Sequence, residues 1–384
     1  MRLTCGPLTT PAKVIVMKIG IDVREAARPN SGKAVYTLQL VSRLIKMQTR
    51  HEFVLYTHER PALLPQSERT RYICLPEKGF SWHRRVARHW REEEGELFFA
   101  PTSFIIPWLL PKRYATSITV HDMIAFQNNG LHSWKPTMLE RFLLGRVLTK
   151  TRAILTPSEQ TKRDLQQRFS VEDERISVTP LGVDERFFEQ AGEEELATFK
   201  DEHQLPKHFI LAVSGLQPRK NIGRLVEAFE KIAPDFPEVE LVIIGGNGWN
   251  SAETVSKIKE SSAPIRQITD CLPELLPSYY QAATVFAYPS LYEGFGLPIL
   301  EAFASGCPVL CSERSSLPEV GGEACSYVDP TDTEAIAEGL AQLLKDPVLR
   351  NKLGNHGQKR AREFSWERTA EKTLEAWTSL HLES

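Results

Sequence analysis

HFILAVSG, residues 208–215, is a run of apolar and β-branched residues that ends on a serine and a glycine. A short apolar run bounded by turn residues reads as a buried strand of a parallel sheet. Its position in the chain decides the fold. Before it stands AGEEELATFKDEHQL (191–205), a polar segment that reads as a linker helix. After it comes NIGRLVEAFEKIA (221–233), whose apolar residues recur at helical spacing. The alternation of strand and helix therefore starts afresh in mid-chain.

Downstream the alternation continues through VELVIIGG (239–246), a weaker strand at 265–268, a helix over about 273–283, TVFAYPS (284–290), PVLCS (308–312), CSYVDP (325–330) and a helix over about 332–344. Upstream it already ran once, through KIGIDV (18–23), a helix over about 32–47, EFVLYT (52–57), RYICL (71–75), ELFFAP (96–101), SITVHD (117–122), RAILTP (152–157) and RISVTP (175–180). Strands alternating with helices imply parallel sheets with crossover connections. The expected fold class is α/β, with two Rossmann-like domains whose parallel sheets face a central cleft. Residues 17–190 form the first domain and 191–365 the second. The amphipathic segment WERTAEKTLEAWTSL lies in a closing helix, 366–384, that packs back toward the first domain. Residues 1–16 are expected to be a disordered appendage.

The length of 384 residues, with 41% hydrophobic and 25% charged residues, fits two soluble globular domains. Residues 1–190 hold 29 Lys and Arg against 20 Asp and Glu, and the remainder holds 18 against 29. The basic half is expected to face something anionic. It shows no nucleic-acid-binding motif, so nucleic acid is not an expected partner. Six scattered cysteines and the lack of an 18-residue apolar run point to a reduced, cytoplasmic protein.

Every candidate site residue follows a predicted strand, where open parallel sheets bind ligands. Arg219 and Lys220 stand before the helix at 221–233, with Asn221 as its expected cap. Two cations at a helix start suit a phosphate, although two solvated charges at a loop tip are the plainer reading. GGNG at 245–248 is weaker, since it also reads as turn chemistry. His121, followed by Asp122, ends SITVHD and is a hydrogen-bond donor to a sugar hydroxyl, an acid or base, or a structural histidine. Gly32 stands where a loop enters a helix, and serves either a ligand or the turn.

EGFGLPILE, residues 293–301, combines glycines and a helix-starting proline with a glutamate at each end. Glu301 is expected in the first helical turn, where the dipole favours an acid. The sharper reading starts from what carboxylates accept, namely hydrogen bonds from hydroxyls. A ligand carrying both phosphate and hydroxyls fits this segment, and a sugar nucleotide is such a ligand.

YPSLYEGFGLPILEAFASGCPVL (288–310) resembles the E-x7-E signature of the retaining glycosyltransferases of family 4, which have the two-domain GT-B architecture. IDVREAARPNSG, TVHDMIAF, ILTPSEQTKRDL, VTPLGVD, SGLQPRKNIGRLVEAF, LPSYYQAATVFAYPS, SSLPEVGGEA and FSWERTA agree in order, from about Met17 to Trp377. The resemblance implies that Lys220 and Arg219 neutralise the donor's diphosphate. Glu293 would hold hydroxyls of the transferred sugar, and Glu301 those of the ribose. Gly294, Phe295, Gly296 and Leu297 would line the donor, His121 with Asp122 would lie over its sugar, and Gly32 would approach the diphosphate. Two departures stand out. Leu216 replaces a common phosphate-binding arginine, and Ala34 stands where the family's second glycine would be.

The implied activity is transfer of a hexose, mannose from GDP-mannose being favoured, to a glycan or lipid-linked saccharide. No cofactor is expected beyond the nucleotide-sugar substrate. No Asp-x-Asp or cluster at metal-ligand spacing occurs, so a metal-independent reaction is expected. The alternatives are a nucleotide-sugar epimerase on the same fold and a catalytically silent subunit of a glycan-assembly complex. SWHRRVARHWR (81–91) leaves two readings open. It is a solvated helix near the acceptor cleft, or it lies on the inner face of an anionic membrane with Trp82 and Trp90 at the headgroups.

Overall fold

The computed structural model describes residues 16–27, 31–127 and 134–379. All of the expected appendage except Val16 lies outside them. Seven strands form the first sheet: β1 Lys18–Asp22, β2 Glu52–Thr57, β3 Thr70–Cys74, β4 Leu97–Ala100, β5 Ala115–Thr119, β6 Ala153–Thr156 and β7 Ile176–Val178. Six form the second: β8 His208–Val213, β9 Val239–Ile244, β10 Ile265–Ile268, β11 Val285–Tyr288, β12 Val309–Ser312 and β13 Cys325–Val328.

The strand orders are β3-β2-β1-β4-β5-β6-β7 and β10-β9-β8-β11-β12-β13, and every pairing is parallel. Each sheet therefore starts in the middle, runs to one edge, then returns and fills the other side. Two doubly wound parallel sheets in one chain agree with the two Rossmann-like domains expected from the alternation. Inner strands such as β4, β6, β11 and β12 are buried at every residue, which is why they read as continuous apolar runs. The edge strands TRYIC and IRQI are only partly covered and carry the polar residues.

Among the described residues, four α-helices escape the periodicity reading: Ile105–Leu109, Ala252–Glu260, Leu317–Gly321 and Pro347–Ala361. The last has no apolar stripe because it packs through its glycines. A Cβ on Gly354 would lie 2.6 Å from the Gly306 carbonyl oxygen, and one on Gly357 would lie 2.6 Å from the Phe303 ring.

SWHRRVARHWR forms most of the helix Gly79–Glu93, but its tryptophans do not face a membrane. Trp82 and Trp90 are wholly buried, and Trp90 packs edge-on against Tyr56 and Phe98. With Val86 they recur every fourth residue and form the inward face, while Arg84, Arg85 and Arg88 are exposed. Placement of these two tryptophans at headgroups is thereby overturned.

The helix Trp366–Ser379 packs on the helix Gly32–Lys46 of the first domain. Trp377 stacks edge-on against Phe99 of β4 and donates its indole N–H to Ser117 Oγ at 3.0 Å. Thr369 Oγ1 donates to the Pro180 carbonyl at 2.7 Å. The chain thus crosses back after completing its second domain. Removing a buried indole of this kind leaves a large cavity. Trp377→Ala should lose about 3–5 kcal/mol in a urea titration; a loss under about 1 kcal/mol would show that the helix is not anchored there.

Candidate active site

The residues that follow β5, β8 and β11 converge where the two sheets face each other. Glu293 is their centre. Its Oε2 accepts Arg219 Nη1 at 2.7 Å, and its Oε1 accepts Lys220 Nζ at 2.7 Å and the Tyr288 hydroxyl at 2.9 Å. Lys220 Nζ also reaches Tyr288 Oη at 2.9 Å. Burial alone would raise the Glu293 pKa, but the charges of Lys220 and Arg219 hold it down at about 2. Burial pulls Lys220 below the usual lysine range; Glu293 opposes that pull and Arg219 adds to it. For Arg219, burial works against the charge and Glu293 more than offsets it. Two cations share one carboxylate, so the group retains a net positive charge.

The local sequence explains the convergence. Pro218 opens a single helical turn, Pro218–Lys220, that presents both cations together. Asn221 is not the side-chain cap expected of it. It takes a left-handed conformation, φ 61°, and spends its amide on the Pro289 and Pro330 carbonyls at 3.0 and 2.6 Å. Those bonds tie the Lys220 turn to the end of β11, which carries Tyr288.

Gly294 is where the domains touch. A Cβ there would lie 1.8 Å from the His121 carbonyl oxygen and 2.8 Å from Asp122 Cβ. Its carbonyl accepts Ser158 Oγ at 2.7 Å and Thr161 Oγ1 at 3.1 Å from the first domain. Tyr292 donates to Asp164 Oδ2 at 2.6 Å and accepts the Met123 N–H at 3.2 Å. Glu319 accepts the backbone N–H groups of Glu159 and Gln160 at 2.9 and 3.2 Å, capping a helix of the opposite domain. Gly296 has φ +120°, and a Cβ there would meet Leu317 at 2.8 Å, so this position needs glycine. It precedes the helix Leu297–Ala304, whose first residue is the candidate Leu297. Phe295 is buried, with its ring packed against Phe364.

His121 Nε2 lies 2.8 Å from the Pro101 carbonyl, which can only accept, so Nε2 carries the proton. Burial, with the Lys33 charge, lowers its pKa to about 4 against the Pro101 bond and Asp122. The ring is neutral near pH 7, and Nδ1 is an acceptor. Donation to a sugar hydroxyl or service as a protonated acid would require the Pro101 bond to break or the ring to gain a proton. The adjacent Asp122 accepts the Ile124 N–H through Oδ1 at 3.0 Å.

Gly32 opens the helix Gly32–Lys46, and a Cβ there would meet nothing within 4 Å. Ala34 is buried and its N–H is taken by Ser31 Oγ at 3.3 Å. Gly245 and Gly248 of GGNG pack against Ser214 and Gln217, which is the turn reading. Leu216, in place of an arginine, is a core residue.

Glu301 stands apart. It is the fifth residue of its helix and not in the first turn, so the dipole explanation fails. Its Oε2 accepts the Tyr280 hydroxyl at 3.0 Å. Burial raises its pKa to about 7, against the Tyr280 bond and the Arg186 charge and with the help of Asp184. Tyr280 and Tyr288 are the residues that sequence reasoning missed. Tyr288 had a signal, since it ends a predicted strand next to YPSLYE; Tyr280 lies in a helix with no mark to distinguish it. Among the described residues, no group of three or more His, Cys, Asp or Glu could hold a metal ion.

Two family models tile most of the chain: "Glycosyltransferase Family 4" over residues 30–187 and "Glycosyl transferases group 1" over 193–360. The chain belongs to the GT-B glycosyltransferases of the family 4 type. The "O-antigen chain mannosyltransferase B" of Escherichia coli is 28% identical over 95% of this chain and 100% of its own length. The "MMP alpha-(1->4)-mannosyltransferase" of Mycolicibacterium hassiacum is 30% identical over 63% of this chain and 58% of its own. Anabaena HepE, solved with UDP and glucose, superposes with a TM-score of 0.76 over 94% of this chain and 100% of that one, at 15% identity. As a glycosyltransferase, the chain brings its cationic pair into the cleft between its two domains.

An unfolded glutamate loses its proton near 4.3, whereas folded Glu301 keeps it to about 7. Stability that this proton supplies below pH 4 is lost as pH rises through 7. Glu301→Gln should match the unsubstituted chain at pH 4 and unfold at a higher temperature at pH 8. Equal midpoints at both pH values would place the carboxyl in solvent.

Proposed function

We propose that this glycosyltransferase is a retaining mannosyltransferase. It uses GDP-mannose without a metal and extends a glycan or lipid-linked saccharide. One observation carries the chemistry: Lys220 and Arg219 both rest on the single carboxylate of Glu293. Breaking the bond between an anomeric carbon and a phosphate puts negative charge on the departing diphosphate and positive charge on the sugar. Fixed cations in a buried site stabilise the first. An incoming diphosphate takes over Lys220 and Arg219, and the carboxylate they release turns to the sugar hydroxyls. His121 accepts a hydroxyl hydrogen bond at Nδ1. In a retaining, front-face reaction the leaving phosphate receives the acceptor's proton, and no enzymic nucleophile is assigned.

Mannose is favoured because two relatives are named as mannosyltransferases. The structural neighbour Anabaena HepE was solved with UDP, so the base is the second variable to test. A panel of nucleotide sugars screened for thermal stabilisation and slow donor hydrolysis tests both. Stabilisation by GDP-mannose above the UDP-sugars is expected, and a preference for a UDP-hexose would overturn the donor assignment. Lys220→Ala should lose transfer by roughly 100-fold or more while remaining folded. Glu293→Ala should lose transfer but hold a nucleoside diphosphate at least as tightly, because its cations are left unpaired. Normal turnover by Lys220→Ala, or nucleotide binding lost along with transfer in Glu293→Ala, would contradict these roles.

Peripheral membrane contact from the cytoplasmic side also belongs to this reading, on a different face from the buried tryptophans. No helix among the described residues is long and apolar enough to cross a membrane. The helices Gly79–Glu93, Ile105–Leu109 and Trp134–Leu148 pack side by side. They expose Phe80 at 51%, Met138 at 62% and Phe142 at 49%. Arg84, Arg85 and Arg88 are exposed on the first of these helices, and Arg146 covers the Phe142 ring at 3.7 Å. Apolar side chains beside arginines suit an anionic lipid surface. Phe80→Ser combined with Phe142→Ser should reduce sedimentation with vesicles containing phosphatidylglycerol; unchanged sedimentation would remove this face from the account.

A further inference from the structure

The first sheet reverses its strand order between β1 and β4. A crevice opens at such a reversal, beyond the strand carboxyl ends, and ligands settle there in open parallel sheets. β1 ends on Asp22, and Arg24 follows two residues later. Asp22 is only 3% exposed and accepts Arg24 Nε at 2.9 Å and Nη2 at 2.8 Å. The same guanidinium lies 3.8 Å from the ring centroid of buried Trp82. Arg24 is thus fixed by a two-point carboxylate below and an indole beside it, while its side chain keeps an outward edge.

His83 and His58 complete the group. His83 is 6% exposed and meets Trp82 edge-on at 5.3 Å, and His58, just beyond β2, lies 5.3 Å from the same indole. Two buried polar atoms here have no hydrogen-bond partner among the described residues: Trp82 Nε1 and His83 Nδ1. Unpaired buried polar atoms cost stability, and these two flank the Arg24 guanidinium. The charge balance narrows the ligand class. Asp22 and Arg24 neutralise each other, and burial, with the Arg24 charge, holds His83 neutral at a pKa of about 4. A cluster with polar groups but little net charge matches a neutral polyhydroxyl compound better than a phosphate.

We propose that Arg24 binds hydroxyl groups of the acceptor saccharide at this strand-order reversal, with Asp22, Trp82 and His83 as the residues that position it. This assignment rests on the transferase reading, in which the acceptor enters the cleft opposite the donor. Asp22 and Trp82 act through the guanidinium, whose fork a lysine ammonium cannot reproduce.

The test is calorimetric titration of the whole protein with α-linked mannotriose and, separately, with GDP and UDP. Arg24→Lys should weaken mannotriose binding by about tenfold or more, the equivalent of one charge-assisted hydrogen bond. Nucleotide affinity, acceptor-free donor hydrolysis and the thermal midpoint should stay unchanged, and the loss in transfer should appear as a raised acceptor KM. Asp22→Asn should move the same readouts in the same direction by a smaller factor. Equal mannotriose affinity in Arg24→Lys, a matching loss of nucleotide affinity, or an unsubstituted chain that binds nucleotide but no mannotriose would each overturn the proposal. A chain that binds mannotriose through Arg24 and takes no nucleotide would sink the transferase reading and leave this site standing.

Discussion

A single carboxylate holding two cations in a buried cleft is the constraint around which this protein is organised. Burying Lys220 and Arg219 without Glu293 would leave two unpaired charges in a poorly solvated place, an arrangement that costs several kcal/mol per ion. The pairing makes that burial tolerable and keeps the cations where a diphosphate would need them. It also imposes demands on the neighbours. Tyr288 must end its strand with the hydroxyl between carboxylate and ammonium, and Asn221 must adopt a left-handed conformation to tie one loop to the next.

The same loop that carries Glu293 makes the contact between the domains. Gly294 fits under the His121 carbonyl only because it lacks a Cβ, and its own carbonyl is held by Ser158 and Thr161. Closing the cleft and presenting the carboxylate are therefore one structural act. The helix Trp366–Ser379, laid across the first domain, means that the two halves are joined at two places and not by one linker.

Much of this was legible in the sequence. The restart at HFILAVSG and the continuous apolar runs of β4, β6, β11 and β12 carry the two-sheet fold, because a strand buried on both faces leaves a contiguous apolar record. Lys220, Arg219 and Glu293 were legible as chemistry because they follow strands. What escaped had a physical reason. The helix Pro347–Ala361 packs through glycines, which leave no apolar stripe. Trp82 and Trp90 sit among arginines in the sequence, and only the four-residue spacing with Val86 separates inside from outside. Glu301 was placed a turn too early, and the consequence of its burial could not be read without Tyr280 beside it. His121 was marked as a candidate, but its tautomer depends on the Pro101 carbonyl, twenty residues away.

On this reading a nucleoside diphosphate entering the cleft replaces the Glu293 carboxylate on Lys220 and Arg219. The most direct measurement is the proton count on binding of a nucleoside diphosphate, from calorimetry at pH 5 in buffers of different ionisation enthalpy, compared between the unsubstituted chain and Glu293→Gln. Losing its cations must raise the pKa of Glu293 from about 2, so the unsubstituted chain should take up protons that the variant does not. An identical proton count in the two would mean that the carboxylate never lets go of Lys220 and Arg219, and would contradict the account.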